Sequence, residues 1–191
     1  MDEKNRCPWS ISDPIYVDYH DREWGVAVRN DRKQFEFLVL ESAQAGLSWL
    51  TILKRRAGYQ RLYANFDVEQ VARFDDNKIG SMLQDPGIIR NRKKIESSIN
   101  NAKHFLALQE KYGSFCNYLW GFLDGSQQVN QYRSLSEIPA KTPLSDTISK
   151  DMKRIGFRFL GSTIIYAHLQ ATGLVNDHLV SCFRHAECIE Y

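Results

Sequence analysis

Glu41 is the charged residue whose surroundings carry the most chemical consequence. Its neighbours three and four positions away are Phe37, Leu38 and Ala45, so on a helix its carboxylate stands beside an apolar face. Burial there raises a carboxyl pKa or demands a partner. On the pattern alone, the plainer reading is an edge residue with its head in water. The aromatic residues nearby favour a pocket: Trp49 lies one loop beyond, and Trp9, Tyr16, Tyr19 and Trp24 crowd the N-terminal segment. Such rings beside a carboxylate suit a flat, cationic ligand. Their alternative role is to cover a helical core in place of regular structure.

A second group of residues could bind metal. Cys7 and His20 lie near the N-terminus, and His178 and Cys182 near the C-terminus. On a helix, the four-residue spacing of the latter pair would put both on one face. Cys7 and His20 could complete a tetrahedral Cys2His2 set suited to zinc, closing a long loop between chain ends that lack periodicity. His104, His168, His185 and Cys188 compete for the same role. Cys116 reads as a core thiol.

A third group is basic. In the stretch from Met82 to Ile95, a short helix ends, Asp85-Pro86-Gly87 turns, and a long helix opens with Arg90, Arg92, Lys93 and Lys94. Cations in a first turn work against the helix dipole. With the backbone N–H groups of the turn they favour an anion such as phosphate. This is the pattern of a helix-hairpin-helix DNA-binding element. Lys54, Arg55 and Arg56 form another basic run, with a solvated face as the default.

Helical periodicity must position these groups, and it dominates from Asp31 onward. Asp31 is expected to cap a helix through Ala45, Ser48 a helix ending near Phe66, and Asp67 a short helix through Ala72. A short helix over Ile79–Leu83 and a long one from about Arg90 to Tyr112 flank the hairpin. Ser114 starts an aromatic helix, 124–142 reads as an irregular crossing, and two helices stop at Gly156 and Gly173. Strand signal is almost absent, and the first thirty residues read as irregular. The chain is mainly α. Its 191 residues suit one domain, with 25 Lys+Arg against 23 Asp+Glu and a net charge of +2. That balance argues against nucleic-acid binding by bulk charge but not against local basic patches. No apolar run approaches the roughly 18–20 residues that span a bilayer. The polar start shows no signal peptide, and four cysteines in a chain this long do not make a disulfide scaffold.

Several ordered blocks together resemble the 3-methyladenine DNA glycosylase I family of the helix-hairpin-helix superfamily. They are Cys7-Pro8-Trp9, Asp13-Pro14-Ile15-Tyr16, Tyr19-His20-Asp21-Arg22-Glu23-Trp24-Gly25, Leu40-Glu41, Gln44-Ala45-Gly46-Leu47-Ser48-Trp49, the hairpin, Gly156-Phe157-Arg158-Phe159-Leu160-Gly161 and Gly173-Leu174-Val175-Asn176-Asp177-His178. The resemblance covers nearly the whole chain and weakens after Cys182. It implies a single domain over 1–191 with a two-lobed helical fold. One lobe would join the N- and C-terminal segments through a structural zinc on Cys7, His20, His178 and Cys182. The other would hold the hairpin, about 79–112.

The resemblance further implies a pocket of Trp9, Tyr16, Tyr19, Glu41 and Trp49. The expected reaction is hydrolysis of the N-glycosidic bond of 3-methyladenine flipped out of double-stranded DNA, with Glu41 catalytic at the Hoogsteen edge. Leu47, between Gly46 and Ser48, is the expected wedge into the duplex, and Gly87, Ile88, Arg90, Arg92 and Lys93 the expected phosphate holders. The long helix has Glu96 and Glu110 but no Asp in the place where many superfamily members carry a catalytic one. That points to leaving-group stabilisation. No lysine is placed for a Schiff base, so a monofunctional enzyme is expected. It would act as a monomer in the bacterial cytoplasm with the nucleoid, release free 3-methyladenine and have no membrane partner.

Overall fold

The computed structural model describes residues 4–190. The helices in chain order are α1 (Pro14–Arg22), α2 (Asp31–Gln44), α3 (Trp49–Leu53), α4 (Arg56–Leu62), α5 (Val68–Ala72), α6 (Asp76–Gln84), α7 (Arg92–Tyr112), α8 (Phe115–Trp120), α9 (Pro143–Ile155), α10 (Ser162–Ala171) and α11 (Phe183–Glu187). Two short strands, β1 (Gln128–Val129) and β2 (Val175–Asn176), pair in parallel with Gln128 opposite Val175. The chain is mainly helical, as expected.

Helix α2 is the centre of the molecule. Every residue from Phe37 to Ala43 is buried, because α3, α7, α8 and α10 all pack against it. A helix enclosed in this way needs no polar face. Glu41 is therefore an interior residue, not an edge residue. The start of α2 also differs from expectation. Asn30 is the cap, accepting from Lys33 N. Asp31 instead serves α8, accepting from the Phe115 and Cys116 N–H groups at 2.9 Å each. Local spacing cannot show a carboxylate serving a helix some eighty residues away.

The N-terminal segment is not irregular. A 3-10 turn covers Pro8–Ser12, and α1 follows with Asp13 accepting from Ile15 N and Pro14 in its first turn. Asp-Pro here opens a helix rather than a turn, since proline's missing N–H costs nothing at that position. Tyr16, Tyr19 and His20 share a face of α1 at helical spacing. The expected Ser48–Phe66 helix breaks into α3 and α4 around Lys54 and Arg55. Ala64, Asn65 and Phe66 then take left-handed backbone angles. Ser48, Asp67 and Ser114 cap their helices as expected.

The core has two parts. The larger runs through α2, α4–α10 and the hairpin. The smaller gathers Cys7, Tyr19, Trp24, Phe37, Leu53, Ala171, Leu179 and Cys182, bringing both ends of the chain together. An ion network ties α1 to the larger part. Arg56, expected on a solvated face, is partly buried and bonds Glu23 at 2.6 Å and Glu36 at 2.7 Å, and Lys33 reaches Glu23 at 2.8 Å. Burial opposes the Glu23 charge, yet these donors hold its pKa at about 2, against an ordinary 4.5.

A carboxyl with a lowered folded pKa stabilises above its unfolded value and loses that contribution as pH falls. The Glu23 contribution, on the order of 2–3 kcal/mol, should disappear between pH about 4.5 and about 2. Thermal melts of wild type and Glu23→Gln should differ fully at pH 6, draw together below pH about 4.5 and converge only below pH about 2.

Candidate active site

A cavity of about 340 Å³ opens where the two parts of the core meet, lined by Trp9, Tyr16, Tyr19, Trp24, Glu41, Gln44, Trp49, Leu135, Ile138, Ala167, Gln170 and Ala171. All five expected pocket residues are thus brought together. Tyr16 and Tyr19 come from α1, Glu41 from α2, and Trp49 from the first position of α3. Trp9 packs edge-on against Tyr16 at 5.7 Å and Trp24 at 5.1 Å between ring centres. The Tyr16 hydroxyl accepts from Leu50 N at 2.9 Å, pinning the start of α3. Trp49 Nε1 is buried and makes no hydrogen bond with the protein. Such a donor suits an acceptor atom on a ligand.

The cavity floor is a hydrogen-bonded chain. Glu41 is 3% exposed, and its Oε2 lies 2.7 Å from His168 Nδ1. His168 Nε2 lies 2.7 Å from Gln34 Oε1. The Gln34 amide nitrogen donates to the Val28 carbonyl at 2.9 Å, which turns its oxygen to the imidazole. A carbonyl oxygen only accepts, so His168 Nε2 carries a hydrogen. An unprotonated Nδ1 facing an ionised carboxylate would set lone pair against lone pair. One further proton therefore lies between Glu41 and His168, and the pair is net neutral whichever atom holds it. Burial raises the Glu41 pKa, and His168 offsets this only in part. Burial, with Glu41 second, also raises that of Tyr19. Sequence reasoning missed this role for His168, treating it as a metal candidate. The available signal was its helical spacing from Ile165 and from Thr172, the C-cap of α10, both buried.

Gln170 is a second missed residue. Its Nε2 donates to Asp177 Oδ2 at 2.7 Å, leaving Oε1 as its remaining acceptor. Asp177 is fully buried and also accepts from Asn130 and from the Tyr166 hydroxyl. These three donors occupy the acid beside His178.

Cys7, His20, His178 and Cys182 are all buried, and their ligating atoms lie within 4.8 Å of one another. His178 and Cys182 share no helix. They sit on a turn just before α11, closed by Cys182 N donating to the Leu179 carbonyl. The chemistry of the set fits a metal. His20 Nδ1 is held by Asp21 at 2.8 Å and His178 Nε2 by the Trp24 carbonyl at 2.9 Å, so the opposite nitrogens face the two sulfurs. Hydrogen bonding from Cys7, foremost, and from both imidazoles favours the thiolate at Cys182. Sulfur–nitrogen separations run from 3.4 to 3.7 Å. A tetrahedral thiolate–imidazole site would give about 3.5 Å. Gly25, at φ +82°, permits this approach, since a Cβ there would meet His178 Nε2 at 2.7 Å. The competing candidates lie elsewhere. His185 bonds the Asn130 carbonyl, His104 packs on Phe157, and the Cys188 thiol faces the Trp24 carbonyl.

The basic groups lie at two neighbouring connections. Gly46 (φ +79°) and Leu47, 41% exposed, form the tip between α2 and α3, and the Ser48 hydroxyl caps α3. The hairpin joins α6 to α7. Its Gly87 N–H donates to Asp85 at 2.8 Å, and Asp85 pairs with Arg61. Ile88 is buried in the core. Arg90, Arg92 and Lys93 are exposed.

A helical frame holding an aromatic slot with a carboxyl at its floor defines a protein that takes a flat ring with a donor edge. The model of the methyladenine glycosylase family matches residues 9–185. DNA-3-methyladenine glycosylase 1 of Escherichia coli is 45% identical over 93% of this chain and 95% of its own length. The DNA-3-methyladenine glycosylase of Haemophilus influenzae is 41% identical over 93% and 96%. The solved structure of a 3-methyladenine DNA glycosylase I from Staphylococcus aureus, described for 3-methyladenine recognition, superposes with a TM-score of 0.91 at 37% identity, covering 94% of this chain and 96% of that one. The chain belongs to the methyladenine glycosylase family.

His168→Leu would strand a buried carboxyl, a loss of about 3–5 kcal/mol that urea denaturation would read as a lower midpoint. The double variant Glu41→Leu/His168→Leu should regain part of it, because the buried carboxyl is then gone and only the Gln34 amide oxygen is left without its donor. An unchanged midpoint in the single variant would show that the pair is worth nothing to the fold.

Proposed function

We propose that this protein flips 3-methyladenine out of alkylated double-stranded DNA and hydrolyses its N-glycosidic bond, starting base excision repair. The observation that carries the reading is the Glu41 carboxyl at the floor of the aromatic slot, fixed through Oε2 and left with Oε1 for a ligand. A purine presents the exocyclic amine and N7 on its Hoogsteen edge. Oε1 accepts from the amine, with N7 beside it. Trp9, Trp49, Tyr16 and Tyr19 enclose the ring.

An adenine methylated at N3 is a cation while attached to the sugar and leaves as a neutral base. The bond electrons pass to N9, water adds to the sugar and gives up one proton to solvent, and no proton need be delivered to the leaving group. The neutral Glu41–His168 pair suits this, since its proton lies away from the base. Its dipole favours the cationic ground state less than a free carboxylate would, which spares leaving-group departure. No lysine lines the cavity among the described residues, in keeping with a monofunctional enzyme without strand cleavage.

Leu47 wedges into the gap left by the flipped nucleotide. The α6–α7 hairpin acts as a helix-hairpin-helix element, with Arg90, Arg92, Lys93 and the backbone of Gly87 and Ile88 toward phosphates. The smaller core forms a lobe joining both chain ends, closed by one structural zinc on Cys7, His20, His178 and Cys182. The zinc supplies fold stability and takes no part in the reaction. The whole is one domain acting as a monomer on cytoplasmic DNA. No helix of the described residues is long and apolar enough to cross a membrane.

Glu41→Gln should slow single-turnover release of 3-methyladenine from methylated duplex DNA by about 10²–10³-fold. Equal rates would remove Glu41 from the chemistry, and no release by the wild type would remove the function. Elemental analysis of protein purified without chelators should find one zinc per chain, and Cys182→Ser should lose the metal and melt at lower temperature. Zinc well below one per chain in the wild type would overturn the ligand set.

A further inference from the structure

Lys94 is the one residue of the basic run that turns inward. Its Nζ donates to the carbonyl oxygens of Ala43 at 2.7 Å and Ala45 at 2.6 Å. These belong to the last turn and the C-cap of α2, where carbonyls lack helical partners and the dipole favours a cation. Lys94 itself sits in the first turn of α7 behind its cap Asn91, where a cation is disfavoured. Its gain therefore comes from α2, not from its own helix. The contact joins two parts with different tasks. Four residues before Lys94 lies the exposed Arg90 of the hairpin. Two residues after Ala45 lies the exposed Leu47, and two before Ala43 lies Glu41.

We propose that Lys94 is a positioning residue that locks the Leu47 tip and the end of the Glu41 helix to the phosphate-facing hairpin. The distance from held backbone to wedge and base pocket is thereby set before DNA arrives. This rests on the glycosylase reading above. Two of the three ammonium hydrogens already go to these carbonyls, so Lys94 is assigned to the end of α2 and not to phosphate. The free base needs only the pocket, so its binding is independent of Lys94, whereas excision from a duplex is not.

The test compares metal-loaded wild type, Lys94→Met, Lys93→Met and Leu47→Ala. Three quantities are read: single-turnover release from methylated duplex, affinity for free 3-methyladenine, and the salt dependence of duplex binding. Lys94→Met should release base roughly tenfold or more slowly, as for a misplaced reacting group, with free-base affinity within about twofold. Its salt slope should match the wild type, while Lys93→Met lowers the slope by about one. Adding Leu47→Ala to Lys94→Met should cost less than it does in the wild type, because the two share a task. Should Lys94→Met melt below the assay temperature, Lys94→Gln carries the same comparison, since its amide can still donate to one carbonyl. A lowered salt slope for Lys94→Met would make it a phosphate ligand and overturn the inference. So would equal losses of free-base affinity and excision. A wild type that releases no base overturns the function and this inference together. Release by the wild type matched by Lys94→Met overturns this inference alone.

Discussion

A carboxyl group 3% exposed, as at Glu41, must share a proton or find a donor, because solvating it inside a protein costs several kcal/mol. The architecture around α2 meets that demand. Helix α10 crosses α2 so that one imidazole touches both Glu41 and Gln34, two turns apart on the same helix. Gln34 is in turn oriented by the Val28 carbonyl just before α2. Gln34 fixes the hydrogen on His168 Nε2, and one more proton is shared between His168 and Glu41, so Glu41 faces the cavity as part of a pair whose net charge is zero. A carboxylate on a solvated edge would have had neither a fixed rotamer nor a fixed charge. The same burial also removes the strong negative charge that an acidic pocket for a cation would imply.

The cavity wall is held differently. Trp9, Tyr16, Tyr19 and Trp24 pack on one another and on the smaller core, which is built from both chain ends. Cross-links of high sequence separation keep it in place. Cys7, His20, His178 and Cys182 converge from opposite termini, and Arg56 clamps Glu23 at the end of α1. Closing loops of this length costs entropy that a few aromatic contacts would not offset. A cluster of metal-competent ligands is well suited to offset it. Asp21, which orients His20, is itself held by Arg6 at 2.7 Å. The support thus extends outward from the cluster.

Around the hairpin the decisive contacts involve the backbone. Gly58 of α4 lies so close to the hairpin that a Cβ would meet the Gly87 carbonyl at 2.2 Å, and Tyr59 holds Ile89 N through its hydroxyl. The hairpin is therefore seated on α4 as firmly as Lys94 ties it to α2. A net charge of +2 over the whole chain is compatible with a local basic patch, because Arg90, Arg92 and Lys93 stand exposed together at this hairpin.

Much of this was legible from residue order. The helical class, the caps at Ser48, Asp67 and Ser114, the hairpin and the family all follow from local spacing and ordered motifs, which depend on neighbours a few positions apart. Asp13-Pro14 with Tyr16, Tyr19 and His20 carried a readable helix signal too, obscured because Asp-Pro equally marks a turn. By contrast, the cap that Asp31 provides to α8, the partnership of Arg56 with Glu23 and Glu36, and the inward turn of Lys94 were not legible. Nor was the place of His168 beneath Glu41. Each joins residues tens of positions apart, and a side chain's pairing across such a distance depends on how the helices cross. By itself the sequence determined which residues could do the chemistry. Only the tertiary structure decided how Glu41 is charged and aimed, since desolvation and the donors that answer it exist only once α2 is enclosed.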